Sequence, residues 1–297
     1  MRRVVVPALV ALSVTPGRAE DVAILKTRVA PYAAAAKGAV AKLGGVSVLS
    51  IDLADKVDGQ ALGASLSRAK VRVVLAIGRH ATLAARELRE LPVVTCMVLD
   101  PADAAVNPAI PGVHLKVPAL AQLGMLRDLT GGGAKVAVLY DPAHSDATIR
   151  DAESAAKTLG CEILRLPVAD VKDVFPALRA IKKQGGDALW MIPDPTVYNK
   201  DSMDGILRYT IENRIPFMAA DKEGVRQGAL CALSPEFEKV GAQAAEMVAG
   251  ILGGKSPAAL PLEAPRELGL YVNEKTAALL DLKLNESVLK SAVESFK

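Results

Sequence analysis

The chain has 297 residues, 51% of them hydrophobic and 23% charged, which provides apolar material for about two domains with cores of their own and excludes a disordered polypeptide. Its formal net charge is +3, with Lys and Arg scattered among Asp and Glu, so no basic stripe or tail points to nucleic acid as a partner.

In chain order, the first nineteen residues, MRRVVVPALVALSVTPGRA, place two arginines before an apolar stretch and end on small residues, the pattern of a cleavable secretory signal. The apolar stretch is too short to span a bilayer of about 30 Å as a helix. Export to the periplasm is therefore expected. With no cysteine after the stretch, a lipid anchor is not.

From Asp21 onward, short apolar runs alternate with helical patterns. The runs are VAIL (22–25), VSVLSI (46–51), VRVVLAI (71–77) and PVVTCMVL (92–99), then VAVLY (136–140), CEILRL (161–166), DALWMI (187–192) and PFMAA (216–220). Near-continuous apolar runs of this kind predict strands buried on both faces, as in parallel sheets. The segments between them, such as 80–88 and 146–160, are rich in helix formers and stop at Gly or Pro. The pattern is βαβα, given twice.

It is also given in similar words. Residues 45–58 read GVSVLSIDLADKVD and residues 160–173 read GCEILRLPVADVKD, matching at Gly45/Gly160, Leu49/Leu164, Ala54/Ala169, Asp55/Asp170 and Asp58/Asp173 without a gap. The same offset lays residues 71–80 on 186–195. A solenoid repeat recurs every twenty to fifty residues; this spacing is that of a duplicated domain. The expected fold is α/β, two doubly wound parallel-sheet lobes. Lobe 1 is expected to take residues 20–115 plus about 238–268, and lobe 2 residues 116–237 plus about 269–297. A multi-strand hinge would join them through segments near 113–117, 229–237 and 268–273.

In sheets of this type the ligand crevice forms at the carboxyl ends of the strands. That rule selects Thr27 and Arg28, Gly78, Arg79, His80 and Ala81, and Asp100 in lobe 1. In lobe 2 it selects Asp141, His144 and Ser145, Asp194 and Thr196, and Asp221. The spacing of His80, His114 and His144 contains no local metal motif, and no cofactor is expected. Cys96, Cys161 and Cys231 each sit in or beside an apolar run and are expected in the core. The strand-following GxGxxG, the GxxxxGK[ST] loop and the GxSxG elbow do not occur, so no enzyme signature is present.

Several stretches, in order and spacing, resemble the type I periplasmic binding proteins, and more closely the ABC-transporter substrate-binding branch that includes binders of amino acids and of aromatic amino acids. They are AIGRHATLA (76–84), VLD-P (98–101), PGVHL (111–115), KVAVLYDPAHSDA (135–147), IPDPTV (192–197), 215–241, GILGGKSPAALPLE (250–263) and YVNEKTAALLDLKL (271–284). The chain departs from that branch at Phe237, at 110–113 and at His144 and Ser145, so a ligand does not carry over. The resemblance implies a monomeric receptor for a small polar ligand, an amino acid or related carboxylate, that hands it to a membrane permease. In that role the helix starts at Gly78 to Ala81 and at Ser145 would hold a carboxylate, and Asp194 or Asp221 an ammonium. An enzyme on the same two-lobed scaffold, or a ligand-sensing partner of a membrane receptor, are the alternatives.

Overall fold

The computed structural model describes residues 20–99, 109–132 and 134–297. The predicted signal (1–19) and Asp100 lie outside the described residues. The chain forms two compact units, one of residues up to Leu115 with Phe237–Glu263, the other of Lys116–Glu236 with Ala264–Lys297.

In the first unit, β1 (Val22–Lys26), α1 (Ala30–Leu43), β2 (Val48–Asp52), α2 (Gly59–Arg68), β3 (Val73–Ile77), α3 (Arg79–Ala85), β4 (Val93–Val98) and β5 (Gly112–His114) alternate as the sequence predicts. The second unit repeats this with α4 (Ala119–Thr130), β6 (Lys135–Tyr140), α5 (Pro142–Leu159), β7 (Glu162–Pro167), α6 (Val174–Lys183), β8 (Ala188–Trp190), α7 (Lys200–Glu212), β9 (Phe217–Ala219), α8 (Lys222–Gln227) and β10 (Cys231–Pro235). Then come α9 (Phe237–Leu252) and β11 (Leu262–Glu263) in the first unit and β12 (Leu268–Asn273) and β13 (Glu294–Phe296) in the second.

Both sheets are wound alike. The six-stranded sheet runs β2-β1-β3-β4-β5-β11 and the seven-stranded sheet β7-β6-β8-β9-β10-β12-β13. The first five strands thus take the same doubly wound order in each. The duplicated words fall on equivalent parts: β2 and β7 are the edge strands, β3 and β8 the strands beyond the switch point. The apolar runs do what near-continuous hydrophobicity demands, since every residue of β3 is buried, as are Val22 to Leu25 in β1.

Three segments expected to cross between the lobes are strands within the sheets. Gly112–His114 lies parallel to β4, and β10 lies parallel to β9. LGLYVN is β12, antiparallel to β10, so the second sheet is mixed. Of these segments only β5, with three residues, is too short for its period to separate it from a linker. The chain changes unit after Leu115, after Glu236 and after Glu263.

Helix α9 covers the first sheet beside α1, and glycines set how closely. A Cβ on Gly241 would lie 1.8 Å from the Ala35 carbonyl oxygen, and one on Gly38 1.8 Å from that of Glu238. Backbone therefore touches backbone at this crossing, with Ala39, Ala244 and Ala245 buried around it. Lys37 to Glu238 (2.7 Å) and Lys42 to Glu246 (2.7 Å) line its solvent side. Alanine favours a helix interior over glycine by about 1 kcal/mol, yet Gly241→Ala is expected to lower the denaturation midpoint, because overpacking costs about 1–3 kcal/mol and the clash is with main chain. A raised urea midpoint for that variant would contradict the packing described.

Candidate functional site

Each sheet has one switch point, where the strand order reverses and the crevice of an open α/β sheet forms. In the first unit it lies between β1 and β3, and in the second between β6 and β8. The residues just beyond these strands are the candidate site, and the two units equip them differently.

In the second unit the switch point is filled by the protein's own polar groups. Asp194 is 3% exposed, and its carboxylate accepts from the Asp141 amide (2.8 Å), the Ser145 hydroxyl (2.6 Å), the Thr196 amide (3.0 Å) and the Val197 amide (3.2 Å). A carboxylate offers about four acceptor positions, and all are engaged. Asp141 answers by capping α5 through the Ala143 amide (2.9 Å) and accepting from the Thr196 hydroxyl (2.8 Å), with His144 Nε2 3.8 Å away. The amide of Ser145 donates to the Asp141 carbonyl (2.8 Å).

The structure thus brings Asp141, His144, Ser145, Asp194 and Thr196 together, but as a cross-link between two strand ends. Asp194, expected to meet an ammonium, is saturated by internal donors. Ser145, expected to hold a carboxylate, has both hydroxyl and amide committed. Asp221 stands after the next strand, exposed, with one oxygen capping α8 through the Gly224 amide (3.0 Å).

The first unit leaves its switch point more open. Gly78 ends β3 at φ +86°, a left-handed conformation that favours glycine, and the ring of Tyr32 crosses it so closely that a Cβ would lie 2.4 Å from the ring. Burial, with a smaller contribution from Cys96, pushes the Tyr32 hydroxyl pKa up. Helix α3 starts here without a side-chain cap, in contrast to α5. Ala81 is buried and Arg79 exposed, and His80 Nε2 donates to the Ala54 carbonyl at 2.8 Å, which fixes the proton on that nitrogen. Within β4, Met97 adopts φ 63° where the register with β5 shifts, a bulge of the kind that re-aims a strand end.

Beside this lies a cluster that strand-end reasoning only half found. Lys26 and Asp52 are register partners at the ends of β1 and β2, and the Lys26 ammonium bonds the Asp52 carboxylate. Arg28 Nε reaches the other oxygen at 2.9 Å. Lys26 first and Arg28 second hold the Asp52 carboxyl below its ordinary value of 3.8. Asp52 escaped notice because it follows an edge strand; its pairing with Lys26 was readable once β1 and β2 were taken as neighbours. Thr27 lies between the two cations, half-buried.

A cavity of about 550 Å³ opens at the opposite end of the second sheet, where strands begin, lined by Arg127, Gly131, Leu159, Cys161, Asp187 and Pro216 among others. Cys161, expected in the core, is half-buried on its wall, whereas Cys96 and Cys231 are fully buried. It begins β7 next to the left-handed Gly160, which turns the chain outward there.

Residues 54–296, well over half the chain, match the family model of the ABC transporter substrate binding proteins. The chain belongs to this family. It is 24% identical over 204 residues to a tyrosine-binding protein of Clostridioides difficile (strain R20291), a match covering 66% of this chain and 58% of that relative's length. Among solved structures, a ligand-free, open substrate-binding protein with adhesive properties from Clostridium difficile superposes with a TM-score of 0.79 at 20% identity, covering 94% of this chain and all (100%) of that one. An ABC domain from Streptococcus pneumonia in complex with L-Trp gives 0.63 at 19% identity, covering 94% and 100% of the two chains. These likenesses establish the type I periplasmic-binding fold for the family member described here.

Two outcomes follow. Asp194→Ala leaves four buried donors without an acceptor and is expected to destabilise the second unit by on the order of 3 kcal/mol, read as a fall in the urea midpoint. Asp141 is held below its ordinary value of 3.8 by the Ala143 amide, then by the Thr196 hydroxyl and, more weakly, by His144. A depressed carboxyl pKa gives stability that is present above the unfolded value and disappears as pH falls through the folded one. The denaturation midpoint should therefore decline below about pH 4, and Asp141→Asn should flatten that decline.

Proposed function

We propose that the protein is the extracytoplasmic solute-binding component of an ABC importer, taking a small polar ligand, an amino acid or related carboxylate, and presenting it to a membrane permease. The observation that carries this is the pair of switch points. Family membership supports the role, and in both sheets polar residues gather where doubly wound folds form their crevice. The three places where the chain changes unit are read as the hinge about which two lobes close, and the ligand acts by favouring the closed arrangement.

The carboxylate is assigned to the segment Gly78 to Ala81, since α3 starts uncapped there while α5 does not. Asp221 keeps an exposed oxygen for an ammonium. The tyrosine named for the Clostridioides relative and the L-Trp of the pneumococcal structure make amino acids the first ligand class to test. The protein would work as a monomer in the periplasm and release its ligand unchanged.

Thermal denaturation with a panel of amino acids and small carboxylates tests the reading. A ligand at a hundredfold its dissociation constant adds about 2.7 kcal/mol, a shift readily seen, and unmoved melting across the whole panel would end the proposal.

A further inference from the structure

We infer that Lys26 is an anion-anchoring, specificity-determining residue and that the ligand is a dicarboxylate, an acidic amino acid or a dicarboxylic acid, in place of an aromatic amino acid; this rests on the solute-binding reading above. Lys26 ends β1, one of the two strands that flank the switch point of the first sheet. Leu25 is level with Ala76 of β3, so Lys26 follows beside Ile77, next to Gly78. Asp52 is its register partner on the other side. Lys26 and Arg28 both bind Asp52, two cations on one carboxylate, so the cluster carries one positive charge in surplus.

The two cations are not equivalent. The Lys26 side chain is 14% exposed and Asp52 32%, while Arg28 is 85% exposed. Interactions of the more buried Lys26 ammonium are less screened by water, and one ammonium has three donors, of which Asp52 engages one. Asp52 positions Lys26, and the remaining donors of Lys26 and the guanidinium edge of Arg28 suit a second ligand carboxylate. A zwitterionic aromatic amino acid would leave the surplus charge unmatched.

The aromatic side chains agree. Tyr32 packs across Gly78, and Tyr198 stacks on buried Phe217 with ring centroids 6.5 Å apart. Trp190 and Tyr140 are 2% and 5% exposed. Trp190, Tyr140 and Phe217 are therefore closed to stacking, whereas Tyr32 and Tyr198, half-buried, each have one face against the protein.

Isothermal titration calorimetry of the full chain with L-glutamate, succinate, L-glutamine, L-tyrosine and L-tryptophan tests the inference. L-glutamate or succinate is expected to bind. L-glutamine, which differs from L-glutamate by an amide in place of one carboxylate, should bind at least about tenfold more weakly. Lys26→Met should weaken the diacid by roughly ten- to a hundredfold. If Lys26→Met does not fold, Arg28→Gln, at an exposed position, serves instead and should weaken it by a few-fold. Binding of L-tyrosine or L-tryptophan with both diacids silent would overturn the inference and leave the solute-binding reading standing. Silence from all five probes is failure of that reading. Diacid affinity unchanged in the folded variant would remove Lys26, or Arg28 in its place, from the site.

Discussion

The organising constraint is that the central strands are covered on both faces. A parallel strand sandwiched between helices has no solvent side, so polar side chains along it would be buried without partners, at a cost of several kcal/mol each. Charge and hydrogen-bonding groups are therefore pushed to the strand ends, and because the strands of each sheet's doubly wound part run in one direction, their carboxyl ends line up along one edge. Lys26, Asp52, Gly78, Asp141 and Asp194 all occupy that edge of their sheets. The position of the candidate site is a consequence of how the core is built.

What differs between the units is how that edge is used. In the second, the Asp141 amide and Ser145 hydroxyl donate to Asp194 and the Thr196 hydroxyl donates to Asp141, which ties the two strand ends together at the switch point. In the first, no corresponding cross-link spans β1 and β3 among the described residues; a glycine in a left-handed conformation and a cation pair on one carboxylate stand there. The duplication supplied two equivalent edges. One is a fastening; the other holds two cations on a single carboxylate.

The strands, their order of appearance and the twofold repeat were legible in the sequence, because apolar runs such as VRVVLAI and their matching offset depend only on local pattern. So was the strand-end location of the polar residues. The state of those residues was not. Asp194 reads the same whether it awaits an ammonium or accepts four internal hydrogen bonds, since the Ser145 hydroxyl and the Asp141 amide reach it only through sheet pairing. Asp52 had the reverse fate, appearing as the end of an edge strand until register set it opposite Lys26. Likewise β5 has only three residues, β10 and β12 lie beside changes of unit, where a strand and a crossing read alike, and β12 runs against its neighbour.

The backbone contacts of Gly38 with Glu238 and of Gly241 with Ala35 join a helix made early to one made late. Helix α9 and β11 complete the first unit, yet they follow β6 to β10 of the second; β12 and β13, which complete the second, come later still. A chain emerging from the ribosome therefore carries two unfinished cores, with the alanine face of α1 bare, until nearly its final residues are present. Such non-local closure is slow and delays the compact state. Each core is finished only by elements made after the parallel strands of both, β1 to β5 and β6 to β10.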